Sequence, residues 1–307
     1  MTYEELLTKM ALEDERIIVM TAENRALVRN IPPVLGNRFI DTGITEQTMI
    51  GIATGLALRG RIPIVHALAS FLTMRAFEFI RTDVGIPHLP VKLSGFIPGF
   101  LSDGNGPTHQ AIEDVSLMRG IPGMEVYCPA DEDDLVQMLP AIWQSPHPVY
   151  VRINHKTGVY QHAPYAPGKV EIISEGIDVT IIVYGFLFEN ALKAKQILEN
   201  GGLSVGLINI RSLKPIDEEA ILHAVFKSEL VVTIEDHLLI GGLYSIMAEL
   251  LLSKRITTSV LPLSLNQKWF KPGLIDEVLE FAGFSPKKIA GKIFNQLHQP
   301  RENKFEL

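Results

Sequence analysis

The sequence predicts an α/β protein built as two doubly wound domains with mostly parallel sheets. Three observations carry this. Short β-branched runs alternate with longer amphipathic ones, the pattern of βαβ units. An aperiodic, proline-containing stretch from His155 to Gly168 interrupts that alternation near the middle. The length, 307 residues, is about twice that of an average domain. Domains at 1–160 and 177–307 follow, joined by a linker at 161–176.

In the first domain, Ile17–Met20, Arg38–Ile40, Ile62–Val65, Val91–Ser94, Glu125–Tyr127 and Val149–Arg152 read as strands, each bounded by Gly, Pro or Asp. Helical patterns lie between them, near 46–59, 70–83, 111–119 and 131–143. In the second domain DVTIIVYG is a strand, and ENALKAKQILENGG is a helix stopped by Gly201 and Gly202. LSVGLINI closes a right-handed βαβ unit. Asp217 caps a further helix, ELVVTIE is a strand, and Gly242–Leu252 is a helix.

Composition removes several functional classes. Acidic residues outnumber basic ones, 35 to 28, for a net charge of −7, which argues against nucleic-acid binding through a broad basic surface. Apolar stretches such as Ile181–Phe188 fall far short of the roughly 20 residues that cross a membrane. The acidic N-terminus, MTYEELLTKMALEDER, carries no signal pattern. A single cysteine, Cys128, excludes an internal disulfide and a cysteine-based metal site. A reducing compartment, most simply the cytoplasm, is expected. No histidine pair has helical metal-site spacing, and Asp131–Asp134 reads as an acidic helix start, so no metal ligand is expected.

The segment from Asp41 to Leu58 is the most informative. A short strand runs through a turn into a helix carrying Gly51, Ala53, Gly55 and Ala57, small residues that let another backbone approach. Glu46 falls in the first turn, where the helix dipole stabilises a carboxylate by a few tenths to about 1 kcal/mol. On pattern alone Glu46 reads as a dipole-complementing acid and Phe71 as a core residue, while His109 reads equally as a loop-stabilising or a cleft histidine and Arg152 as a strand-end surface or an anion-holding arginine.

The string DTGITEQTMIGIATGLALRGRIPIVHALASF resembles the pyrimidine-binding domain of transketolase-type thiamine diphosphate enzymes. GPTHQ (Gly106–Gln110), EDVSLMRGIPGMEV and PADEDD match in the same order. So do Tyr184-Gly185, RSLKPID (Arg211–Asp217) and VTIEDHLLIGG (Val232–Gly242) in a domain similar to the transketolase C-terminal domain. The resemblance implies that Glu46 hydrogen-bonds N1′ of the cofactor pyrimidine, with Ile44 beside it and Phe71 as the stacking wall. It implies that His109 faces the reacting carbon and that Arg152 holds a sugar phosphate, for which a guanidinium fork is suited. His66, at the end of its strand, is a further substrate contact; Arg75 and Arg81 are candidates second to Arg152. Asn105 stands where many transketolases carry an acid that contacts a sugar hydroxyl, and Leu68 and Met74 replace aromatic residues. Glu235-Asp236-His237 reads as structural or interfacial.

A diphosphate cofactor needs Mg²⁺ held by oxygen ligands. The thiamine enzymes supply these from a GDG motif and a downstream Asn. This chain has no GDG, and its nearest approach, SDGNG, belongs to the GPTHQ loop. It therefore resembles the second half of a transketolase, with thiamine diphosphate shared with a GDG-containing partner that holds most of the Mg²⁺. The expected complex is α2β2, this chain being the β-type subunit and silent alone. It would move a two-carbon ketol unit between a ketose, phosphorylated or otherwise anionic, and an aldose. Alternatives are a 2-oxoacid dehydrogenase β-type subunit, a deoxyxylulose-phosphate-synthase-like subunit, or a non-catalytic scaffold.

Overall fold

The computed structural model describes residues 1–102, 104–265 and 269–299. Asp103 of the SDGNG stretch and the last eight residues assigned to the second domain lie outside the described residues.

The chain opens with α1 (Tyr3–Glu13), which the sequence reading left unassigned. Thr2 and Glu5 form a reciprocal capping box at its start, and Tyr3, Leu6, Leu7 and Ala11 pack inward. β1 (Ile17–Thr21) follows, then the short helix α2 (Pro32–Leu35), β2 (Phe39–Asp41), α3 (Glu46–Leu58) and β3 (Ile62–Leu68). Next come α4 (Phe77–Phe79), β4 (Lys92–Phe96), α5 (Asp114–Arg119), β5 (Glu125–Tyr127), α6 (Glu132–Gln144) and β6 (Val149–Ile153).

The second half holds β7 (Glu171–Ser174), β8 (Val179–Val183), α7 (Phe188–Asn200), β9 (Val205–Asn209), β10 (Ser212–Lys214) and α8 (Glu218–Lys227). It ends with β11 (Leu230–Leu238), α9 (Leu243–Ser253), β12 (Val260–Leu265), α10 (Ile275–Ala282) and α11 (Pro286–His298).

Two mostly parallel sheets result, as the alternation predicts. The first runs β10-β5-β6-β4-β3-β1-β2, the second β12-β11-β8-β9-β7. Among the strands of the described residues, only the pairs β10–β5 and β7–β9 are antiparallel. The central strands of both sheets are buried along nearly their whole length, as parallel strands covered on two faces must be, while the edge strands β2, β7 and β12 are only partly buried.

Three expectations need correction. The 161–176 segment is not all connection: its end, β7, is an edge strand of the second sheet. β10 comes from beyond the linker yet pairs with β5, so the second half of the chain contributes one strand to the first sheet. The predicted helix at 70–83 is largely π-helical, with turns at Phe71–Arg75 and Ile80–Gly85 on either side of α4. Thr73 and Thr82 each donate to the carbonyl four residues back, competing with the regular ladder. Such wide turns are often found at functional sites.

Candidate active site

α3, the Phe71–Arg75 turn and the loop after β4 all leave the C-terminal ends of parallel strands, where α/β proteins place their sites. The turn into α3 is held by Asp41, whose Oδ1 accepts from the Gly43 and Glu23 N–H groups at 3.0 and 3.1 Å. Arg25 Nε donates to Asp41 Oδ2 at 2.7 Å. Gly43 has φ +68°, a left-handed conformation that only glycine adopts without cost. This turn delivers Glu46 as the first residue of α3, with only 2% of its surface exposed.

A buried carboxylate needs a partner. Arg75 provides it: Nη1 donates to Glu46 Oε2 at 2.8 Å. The same guanidinium lies 4.2 Å from the centroid of the Phe71 ring, within cation–π range. Phe71 in turn meets the His109 ring edge-on, 4.9 Å between centroids. His109 Nδ1 is 2.9 Å from the Thr108 hydroxyl. Glu46, Arg75, Phe71 and His109 therefore form one continuous chain of contacts, with Arg75 half-exposed at the rim of the opening they share. Ile44 is 65% exposed on the same turn, and Asn105 is exposed in the His109 loop, its amide donating to Ser102 Oγ at 3.2 Å. Arg81 is exposed, and Arg75 is the arginine that reaches Glu46.

Two predicted contacts are elsewhere. His66 is 1% exposed beneath the sheet end. Its Nε2 pairs with the Tyr3 hydroxyl at 2.7 Å and its Nδ1 with the Met20 carbonyl at 3.0 Å. Burial pushes the imidazole down to about 4, so it is neutral and closed to substrate. The sequence placed His66 at the strand end; α1, unassigned in that reading, covers it.

Arg152 is likewise 2% exposed. Its Nε donates to Asp114 at 2.8 Å and its Nη1 to Asp236 at 2.6 Å. Asp114 also accepts from the Tyr150 hydroxyl at 2.6 Å, and the Tyr184 ring faces the guanidinium at 5.3 Å. Arg152 ties the first domain to β11 of the second and has no fork left for a phosphate. The fit is tight: a Cβ on Gly99, at φ +61°, would meet Asp236 Oδ2 at 1.6 Å. The interfacial reading of Glu235-Asp236-His237 therefore agrees with the structure. Glu235 accepts from the N–H groups of Leu243 and Tyr244 at the start of α9, and His237 accepts from Ser116 N–H at 3.3 Å.

A second seam cluster draws on PADEDD and RSLKPID. His162 bridges Asp131 and Glu171 at 3.0 and 2.8 Å. Arg211 pairs with Asp134 at 2.7 Å and Glu171 at 3.3 Å. Burial pulls His162 down, but the hydrogen bonds to Asp131 and Glu171 outweigh it and hold the ring up at about 10. Asp134, His162 and Glu171 lie close enough to share a metal ion, yet their ligand atoms are already engaged by a protonated His162 and by Arg211. Asp131 caps α6 through the Asp134 N–H, as the sequence indicates. Among the described residues, no helix is long and apolar enough to cross a membrane.

The residues at the opening fit an aminopyrimidine. A buried carboxylate and an aromatic face both contact one planar nitrogen cation, which stacks on the ring with an N–H on the carboxylate. Sequence reasoning did not find Tyr3, Asp114, Tyr150 or Thr108. Of these, Thr108 in GPTHQ and Asp114 in EDVSLMRGIPGMEV lie in segments that carried a local signal.

Comparison with known proteins agrees with this fold. Residues 1–158 match the transketolase pyrimidine binding domain and residues 168–289 the transketolase C-terminal domain. The chain is 36% identical over 293 residues to the 6-deoxy-6-sulfo-D-fructose transketolase subunit SqwH of Clostridium sp., covering 94% of this chain and 91% of that one. It is 33% identical to the putative transketolase C-terminal section of Methanocaldococcus jannaschii, covering 96% and 95%. Against 1-deoxy-D-xylulose-5-phosphate synthase of Caldanaerobacter subterraneus it is 33% identical but spans 48% of that protein. Among solved structures, a split-gene transketolase in an inactive β4 tetramer superposes with a TM-score of 0.85 at 31% identity over 96% of both chains. With these matches spanning both halves, this chain belongs to the transketolase family and corresponds to its pyrimidine-binding and C-terminal domains.

Proposed function

We propose that this chain is the β-type subunit of a split, thiamine diphosphate-dependent transketolase. In this reading it moves a two-carbon ketol unit from an anionic ketose to an aldose. The observation that carries the reading is the buried Glu46 carboxylate at the start of α3, sharing one opening with Phe71 and His109. Thiamine diphosphate, when bound, supplies a stabilised carbanion equivalent at its thiazolium ring, chemistry that no protein side chain provides.

The chain's own residues would do the rest. Glu46 would hold a proton at N1′ of the pyrimidine, a hydrogen bond strengthened by its dry position. Phe71 would fix the plane of that ring. His109, part-exposed and packed against the Phe71 ring, would hydrogen-bond the sugar oxygens and move protons near neutral pH.

A partner is needed for the remainder. This chain lacks a GDG motif, so the diphosphate and its Mg²⁺ would be held mainly by a second subunit. The open face of α3 supports that reading: Gly51 and Gly55 are exposed and a Cβ on either would touch nothing. Ile44, Ile52 and Leu58 are exposed beside them. An α2β2 assembly, placing this face against the partner, follows. The substrate named for the Clostridium relative, a sulfonated sugar, supports an anionic donor here. Arg152 is withdrawn as its anchor.

The test is reconstitution with a GDG-containing subunit. Thiamine diphosphate and Mg²⁺ should bind the mixture and not this chain alone, by calorimetry. Ketose plus aldose should then turn over. Turnover of pyruvate with an aldose instead would assign the synthase-type reaction, and Glu46→Gln with full activity would indicate a scaffold.

A further inference from the structure

The cation at the opening has a peculiar position. Arg75 has 41% of its side chain exposed, yet its guanidinium is not free. One edge donates to the buried Glu46 at 2.8 Å, and one face covers Phe71 at 4.2 Å. A guanidinium is flat, with nitrogen donors along its edge and a π-face above and below. An aminopyrimidine is also flat, with nitrogen along its edge and a π-face. The carboxylate that would receive N1′ and the ring that would stack the pyrimidine are thus both occupied by the same group. A guanidinium and a pyrimidine cannot share that volume.

The backbone favours the arrangement. Phe71 and Arg75 are four residues apart in the π-helical turn, a spacing that brings side chains together on one side of a helix. Thr73, between them, is buried and anchors the turn to the Ala69 carbonyl at 2.7 Å. The arginine therefore lies on its aromatic platform by local geometry, and the contact to Glu46 is a long-range addition across 29 residues.

We propose that Arg75 is a self-ligand of the pyrimidine slot, holding Glu46 and Phe71 in place while the chain is unassembled and leaving when the cofactor enters. This rests on the reading of Glu46 and Phe71 given above and extends it to the state of the site before assembly. The device keeps a buried carboxylate paired when no cofactor is there, which avoids the cost of an uncompensated charge. It also opposes cofactor entry by whatever the two Arg75 contacts contribute, since they must break first.

Cofactor affinity tests this without relying on turnover. Thiamine diphosphate with Mg²⁺ is titrated calorimetrically into the reconstituted complex carrying Arg75, Arg75→Ala, Arg75→Met or Arg75→Lys. Both uncharged variants should bind about three- to tenfold more tightly, the scale of one part-exposed ion pair together with one cation–π contact. Arg75→Lys, which keeps the charge but loses the planar fork, should fall between. In ¹⁵N spectra of arginine side chains, the Arg75 Nε–H resonance of the isolated chain should shift when partner and cofactor are both added. Equal or weaker binding by Ala and Met variants, or an unmoved resonance, overturns the self-ligand role and leaves the Glu46 and Phe71 assignment standing. Absence of cofactor binding by every complex, the unsubstituted one included, overturns both.

Discussion

Two arginines of this chain each bind carboxylate, and they do opposite work. Arg75 pairs with Glu46 at the rim of an opening, with 41% of its side chain in solvent. Arg152 pairs with Asp114 and Asp236 in a sealed seam, with 2% exposed. In the first pair one hydrogen bond from a half-exposed guanidinium holds the carboxylate. In the second, one buried guanidinium bridges both aspartates, with the Tyr150 hydroxyl on Asp114 and the Tyr184 ring facing the cation. An arginine in a family motif is thus no guide to ligand binding until its burial is known. Most segments matching the family outside the opening, EDVSLMRGIPGMEV, PADEDD, RSLKPID and VTIEDHLLIGG, supply seam residues, and their job here is to join two domains.

If that contrast is right, rim substitutions change chemistry and spare stability, and seam substitutions do the reverse. The largest effect belongs to Glu46→Gln. In the reconstituted complex it should lower kcat by about 10³-fold or more, at the upper range of acid–base contributions, while the unfolding midpoint of the isolated chain hardly moves. Next comes Arg152→Met, which leaves two buried aspartates without their cation. Urea unfolding should show a loss of about 3–5 kcal/mol. A stable Arg152→Met protein with a raised KM for anionic sugars would return this residue to the substrate site and break the contrast.

His66 gives a sharper discrimination, since the sequence put it in the opening and the structure puts it in the interior. Its folded-state value of about 4 lies below the ordinary 6.5. The unfolded chain therefore binds the proton more readily, so the stabilising contribution is full above pH 6.5. It is lost as pH falls from 6.5 towards 4, by about 3 kcal/mol in all. Urea titrations across that window should show a slope of about one proton that His66→Gln removes. An NMR titration placing His66 near 6.5 would mean that the ring is open to solvent.

The smallest effect expected is at His109. His109→Ala should reduce kcat by about 10²-fold and leave the calorimetric Kd for thiamine diphosphate nearly unchanged, because it touches Phe71 only by its edge. A loss of cofactor affinity equal to the loss in kcat would make it part of the binding wall instead.

The fold was legible in the sequence because strand and helix periodicities are local. β1, β3, β4, β5, β6, β8, β9 and β11 fall where short β-branched runs predict them. Where long-range contacts decide, the reading lost its footing. β7 lay in the assigned linker, since a four-residue edge strand has no period to read. β10 joined the other domain's sheet through pairing with β5, which no local pattern encodes. The 70–83 segment kept its helical sense, but threonine back-bonding and packing widened it into π-turns.

By itself, the sequence determined the two α/β domains, the family, and the set from which the site is drawn: Glu46 at a helix start, Phe71 after a strand, His109 in a Gly/Pro loop. Each is set by residues within a few positions, where sequence speaks directly. Tertiary structure alone decided which of these meet and which polar groups are closed off. Tyr3 and α1 enclose His66, Asp236 from the second domain claims Arg152, and Arg75 reaches across 29 residues to Glu46. Burial and charge pairing depend on segments far apart in the chain, so they exist only once the two sheets are packed together.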